Sequence, residues 1–123
     1  MIPIARRSRE HGYATAETAV VMPALVVVVL FAVWLLACVG AQLRCVDAAR
    51  AGARSAARAD PSSQVTSLAR ALAPRGAQVE VTTRGAFVTV VVRAQIHPLG
   101  VLVRLLPGTP VSARASAERE AAP

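Results

Sequence analysis

A stretch of 26 uncharged residues, Thr18 to Leu43, limits this chain more than any other feature. No Asp, Glu, Lys or Arg interrupts Ala19 to Ala41, and as a helix Thr18 to Leu43 extends about 39 Å at ~1.5 Å per residue. A bilayer hydrocarbon core is ~30 Å thick and takes about 20 helical residues to cross. The segment is long enough to span a membrane. The rest of the 123 residues leaves room for one small domain at most.

A secretory signal peptide has the same order of basic start and apolar segment, but its apolar region is typically only about 7 to 15 residues and ends at a small-residue cleavage site. Ala37-Cys38-Val39-Gly40-Ala41 is a poor match to such a site, and the run is too long. A retained helix is the expectation.

The net charge is +7, from 14 Arg and no Lys against 7 acids. An all-Arg, Ala-rich composition is explained by genomic base bias, so the placement of the charges is more informative than their type. Arg6, Arg7 and Arg9 precede the apolar run, and Arg44, Arg50, Arg54 and Arg58 follow it. The positive-inside rule compares basic residues at the two helix ends. Counting the terminal amine, the ends are level, and an arm this short suits a cytoplasmic anchor, which gives an N-inside, C-outside orientation in the cytoplasmic membrane.

Cys38 and Cys45 are seven residues apart. On a helix that is one face, two turns and ~10 Å, whereas a disulfide needs Cα atoms within about 7 Å. An intrachain bridge is not expected. The pair reads as small apolar packing residues, with a crosslink between neighbouring chains through Cys45 as the sharper alternative.

After the apolar run the helical period continues in a different register of chemistry. Val46, Ala49, Ala53 and Ala56 recur at spacings of three and four beside a polar stripe of Asp47, Arg50, Arg54 and Arg58. One helix, apolar first and amphipathic second, is the economical reading. Its Ala face allows close approach by another element, and Asp47 is spaced to pair with Arg44 and Arg50. Asp60-Pro61 ends this helix or starts the next, with Asp60 suited to N-cap and Pro61 to the first helical position. Val65, Leu68, Ala69 and Leu72 then predict a short helix, stopped by Pro74-Arg75-Gly76.

From Ala77 the period becomes two: Val79, Val81 and Thr83 alternate with Gln78, Glu80 and Thr82. Arg84-Gly85 supplies a turn into the β-branched run Phe87 to Ile96, and Pro110 to Ala117 offers a third strand. Three strands need a partner layer to be stable, and the Ala face of the long helix is the natural one. The fold class is therefore α+β: a long N-terminal transmembrane helix with an amphipathic extension, a short second helix and an antiparallel sheet of about three strands. The apolar stretch His97 to Gly108 is too short and interrupted to span a membrane. Its leucines either cover the sheet or form a surface patch.

Enzyme chemistry finds no support. His11 lies in the N-terminal arm and His97 precedes a proline, and neither has a Ser, Cys or carboxylate constellation around it. There is no metal-ligand spacing, phosphate loop or nucleophile elbow, so no cofactor, metal or small-molecule substrate is expected. Nucleic acid is disfavoured as well. The Arg50, Arg54 and Arg58 stripe has no aromatic interleaving, and the chain holds one Trp, one Tyr and two Phe. Salt-sensitive binding of DNA would be the observation in its favour.

Glu17 has the strongest claim to a role. At the start of a membrane helix it either sits in the interface and complements the helix N-terminus or pairs with a cation from a partner chain. Arg7-Ser8-Arg9, then Gly12-Tyr13-Ala14-Thr15-Ala16-Glu17, then Ala19-Val20-Val21-Met22-Pro23-Ala24-Leu25, resembles the N-terminus of type IV pilin-like proteins. It is most similar to the TadE-like family of minor pilins or pseudopilins of the tight-adherence system. The resemblance is strongest from about Arg6 to Leu36, with a weaker likeness at Pro98-Leu99, Leu106-Pro107-Gly108 and Val111 to Ala115.

The resemblance implies a prepilin peptidase cutting on the cytoplasmic side between Gly12 and Tyr13. That leaves 111 residues with a net charge of +5 and with Glu17 fifth. It implies that Glu17 attracts the new N-terminal amine of a neighbouring pilin-like subunit, and that Pro23 belongs to the assembling helix. Tyr13 departs from the small residue or Phe common at the mature start. The expected organisation is a basic leader over 1–12, a membrane helix over 13–43, an amphipathic extension over 44–60, an extracytoplasmic α+β unit over 61–117 and a frayed tail over 118–123. The implied destination after assembly is the cell surface. The alternative is an uncleaved single-pass anchor or regulatory subunit that binds another envelope protein and keeps its Arg arm.

Overall fold

The computed structural model describes residues 4–97 and 108–120, with side chains from Gly12 onward. It is an α+β protein. A long helix α1 (Ile4–Ala57) is followed by α2 (Ser62–Leu72) and by strands β1 (Gln78–Arg84), β2 (Phe87–Ile96) and β3 (Thr109–Glu118). Two compact units divide after Leu35.

In the first unit, every described side chain from Gly12 to Val33 is exposed. The most apolar 18-residue window of α1 has a mean hydropathy of 2.9 and is wholly unburied, which makes this helix a candidate membrane span. A helix apolar on all sides has no stable place in water and belongs in lipid or among other helices. Pro23 lies inside α1 and the helix runs on through it, although its ring nitrogen gives no hydrogen bond to the carbonyl one turn back.

The second unit packs the C-terminal part of α1 and α2 on one face of the sheet. Cys45, Ala48, Ala49, Ala53 and Ala56 from α1 meet Val65 from α2, Val88, Val90, Val92 and Ala94 from β2, and Val111 from β3. The buried face of α1 holds the expected Ala49, Ala53 and Ala56 and extends to Cys45, Ala48 and Gly52, while Val46 is only half-buried. Close approach explains the extension. A Cβ on Gly52 would stand 3.1 Å from Val90 Cγ1 and 3.5 Å from Ala69 Cβ, so the face that packs is the one made of the smallest residues.

The strands form a meander in the order β1-β2-β3, all antiparallel. Arg84 pairs with Phe87 across a two-residue loop in which Gly85 has φ 59°. A positive φ at the first loop position alone is the type II′ pattern that fits glycine. β2 is central and buries every second residue, as its period predicts. The end of the chain is tied in through Glu120: Glu118 closes β3, Arg119 N–H donates to the Ala86 carbonyl at 2.6 Å, and Glu120 N–H donates to the Ala57 carbonyl at 3.0 Å. The expected fraying does not begin at Glu118. The leucines between Pro98 and Pro107 lie outside the described residues.

The junction after α1 differs from expectation in its chemistry. α1 ends at Ala57, and Ala59 adopts a left-handed φ of 61°. Asp60 N–H reaches the Ser55 carbonyl at 3.3 Å and Ala59 N–H the Ala56 carbonyl at 3.0 Å, the two bonds of a Schellman cap. Asp60 is not the N-cap of α2, whose N-cap position is Pro61 with no side-chain cap bond. The Asp60 carboxylate turns back instead and accepts a 2.6 Å hydrogen bond from the buried Ser55 hydroxyl. Arg58 lies 3.8 Å from the same oxygen. Satisfying the buried hydroxyl outweighs capping a solvent-exposed helix start.

Candidate functional site

Gly12, Tyr13, Glu17 and Pro23 all lie on α1 and are all exposed. Tyr13 is 79% exposed. Spaced by four, Tyr13 and Glu17 share one helix face, whereas Pro23, six residues beyond Glu17, faces elsewhere. The helix therefore brings the expected processing position and the carboxylate together and leaves Pro23 apart. Between them Thr18 Oγ1 donates to the Ala14 carbonyl at 2.8 Å, a local bond that takes a hydroxyl out of the apolar surface.

Among the described residues, packing does not demand glycine at position 12. A Cβ there would meet no heavy atom within 4 Å, in contrast to Gly52. The apolar surface continues well past this site, with Val20 71%, Leu30 61% and Phe31 61% exposed. What the arrangement offers is an exposed carboxylate one turn from Tyr13, on an apolar stretch of α1 that no described residue covers.

The other sequence candidates are dispersed. Asp47, Arg50 and Arg54 are exposed along α1, and Arg58 is exposed just past its end. The ion pairs among the described residues are Arg58–Asp60 and Arg93–Glu80, and neither involves Asp47. Cys45 is fully buried in the core and Cys38 is half-buried. Burial raises the Cys45 thiol above its ordinary pKa and so lowers its thiolate fraction. The packing reading of Cys45 accounts for its position, and a crosslink through it would require the core to open. His97 is exposed at the end of β2, and no group of three or more His, Cys, Asp or Glu gathers among the described residues.

Sequence reasoning passed over Gly52 and the Ser55–Asp60 pair. The signal for Gly52 was present in the alternation of small residues at 45, 48, 49, 52, 53 and 56. Nothing local announced Ser55, because its partner depends on how the chain turns after α1.

Residues 12–54 match the family described as TadE-like protein. A protein of Mycobacterium tuberculosis (strain ATCC 25618 / H37Rv) described as "Apoptosis inhibitor Rv3655c" is 40% identical over 99 residues, covering 80% of this chain and 73% of that one. No solved structure matches.

Proposed function

Because this chain belongs to the TadE-like protein family, we propose that it is a minor pilin or pseudopilin, a membrane-inserted subunit for assembly of a tight-adherence pilus or secretion apparatus. The family implies membrane association with pilus-system components. The description of the mycobacterial relative names an effect of that protein and no reaction, so it assigns no chemistry to this chain.

The carrying observation is the position of Glu17: it stands exposed one turn after Tyr13, at the start of an apolar stretch of α1 that no described residue covers. In this reading the chain inserts with its N-terminus inside, and a prepilin peptidase removes residues 1–12. No described residue stands within 4 Å of where a Cβ on Gly12 would lie, so the described chain does not cover that position. A glycine also lowers the cost of unwinding α1 at the cleaved bond, by roughly 1 kcal/mol relative to alanine. The new amine of Tyr13 then meets Glu17 of a neighbour. At 4 Å and an effective dielectric of ~20, opposite unit charges attract by about 4 kcal/mol. That is comparable with the roughly 3 kcal/mol cost of an acidic group in a bilayer. The pair therefore favours one register between packed helices and disfavours an unpaired carboxylate in lipid. The role is assembly rather than catalysis.

The test is Glu17→Ala expressed beside the unaltered chain. Membrane insertion is expected to be equal and incorporation into assembled filaments or envelope complexes to fall at least tenfold. Undiminished incorporation would remove Glu17 from the mechanism.

A further inference from the structure

The second unit holds an open depression of ≈ 540 Å³ lined by Arg75, Arg93, His97, Gln78, Gln95 and Ser112 among others. None of its described lining residues is an acid. Glu80 reaches Arg93 at 3.3 Å, leaving Arg75 and His97 without an acidic counterpart among the described lining residues.

The height of this depression along α1 gives it meaning. Gln78, Arg93 and Ser112 form one row across the sheet, and the Ser112 carbonyl accepts a 2.8 Å hydrogen bond from Gln42 Nε2. At the other end of β3, Glu120 N–H donates to the Ala57 carbonyl. β3 therefore runs alongside α1 in the same direction, and the row that holds Arg93 is level with residue 42, where the apolar run ends. His97, Thr109 and Pro110 lie further along β2 and β3, toward the Leu36 end of the unit. A headgroup layer is only ~5–8 Å deep on each side of the hydrocarbon. Arg50 and Arg54 stand about 10 and 16 Å beyond Leu43 along the helix and fall outside it.

We propose that Arg75 and Arg93 in this depression bind the phosphate of an anionic phospholipid headgroup in the leaflet from which α1 emerges toward the second unit. Guanidinium groups match phosphate geometry bidentately, the amide side chains of Gln78 and Gln95 supply further donors to phosphate or glycerol oxygens, and both Arg are exposed and available. Binding would seat the sheet against the membrane surface. Glu80 competes with the lipid for Arg93. The proposal rests on the reading that Thr18 to Leu43 spans the bilayer.

The test uses the full chain in nanodiscs of phosphatidylcholine and phosphatidylglycerol, with retained lipid counted by native mass spectrometry. Expected are preferential retention of phosphatidylglycerol, loss of at least tenfold in R75Q/R93Q, no change in R50Q/R54Q, and increased retention in E80Q. Equal slow alkylation of Cys45 in all variants shows that the core is intact. Equal retention in the two Arg pairs, or equal retention of the two lipids, would overturn the proposal. So would displacement of phosphatidylglycerol by inorganic phosphate at matched concentration, whereas lipid that stays bound supports the headgroup as the source. Carbonate extraction separates the failures. A chain that washes off the membrane defeats the spanning reading and the proposal with it, while an embedded chain indifferent to R75Q/R93Q defeats the proposal alone.

Discussion

The contact between Gly52 and Val90 predicts a coupling that can be measured. A Cβ at position 52 would stand 3.1 Å from Val90 Cγ1 and 3.5 Å from Val90 Cγ2, and Val90 is fully buried. Gly52→Ala therefore gains about 1 kcal/mol in helix propensity and loses roughly 1–3 kcal/mol to overpacking. It is expected to be destabilising by about 1 kcal/mol. Val90→Ala removes two methyl groups, worth ~0.8 kcal/mol each on transfer, and leaves a small cavity, for about 2 kcal/mol. In the double variant the new methyl of residue 52 occupies the vacated space. The strain disappears, the propensity gain remains, and the total cost is about 1 rather than the additive 3 kcal/mol. The buried Cys45 thiol reports the opening of this core directly. In a Cys38→Ala background, its alkylation rate under conditions of fast reclosing follows the open population, tenfold for every ~1.4 kcal/mol. The expected coupling of about 2 kcal/mol is a roughly 30-fold slower alkylation than additivity predicts. Additivity within ~0.5 kcal/mol would refute the close approach of α1 to β2.

Three further outcomes follow from the same unit. Ala59→Gly relieves a left-handed residue at the end of α1 and is expected to stabilise the unit by about 0.5–1 kcal/mol, slowing Cys45 alkylation roughly two- to fivefold; faster alkylation would contradict the cap assignment. Ser55→Ala leaves the Asp60 carboxylate without its 2.6 Å donor and should cost about 1.5–2 kcal/mol in chemical denaturation, with Arg58→Gln costing under ~0.5 kcal/mol because its 3.8 Å pair is exposed. In the folded protein Cys45 should resist maleimide labelling at neutral pH while denaturant exposes it; rapid labelling without denaturant would contradict its place in the core.

Much of this architecture was legible because its periods are strong. The strand Phe87 to Ile96 is read from its β-branched run and the hairpin from Arg84-Gly85, since strand propensity and a glycine turn are local properties. Ala49, Ala53 and Ala56 were legible as the packing face of α1, but its edge was not local. Val46 is larger and more apolar than Ala48, so a hydrophobicity count favours it, but the sheet approaches closely enough to select Gly52 and its small neighbours. Asp60 before Pro61 carries every local sign of an N-cap, and a long-range need overrides it: the Ser55 hydroxyl is buried once α1 packs. The basic depression could not be read at all, because Arg75, Arg93 and His97 come together only through the pairing of β1, β2 and β3. At the N-terminus the reverse holds. Gly12, Tyr13 and Glu17 are singled out by the sequence resemblance, and the structure adds that one helix face carries the last two and that no contact among the described residues explains the first.

The central claim is that residues 1–12 are a removable leader on an assembling helix. Intact-mass analysis of the protein extracted from membranes of a host with its prepilin peptidase tests this most directly. The account predicts a chain of 111 residues beginning at Tyr13, and the full-length chain in a peptidase-deficient host. A membrane-embedded protein that begins at Met1 or Ile2 in both hosts would contradict it.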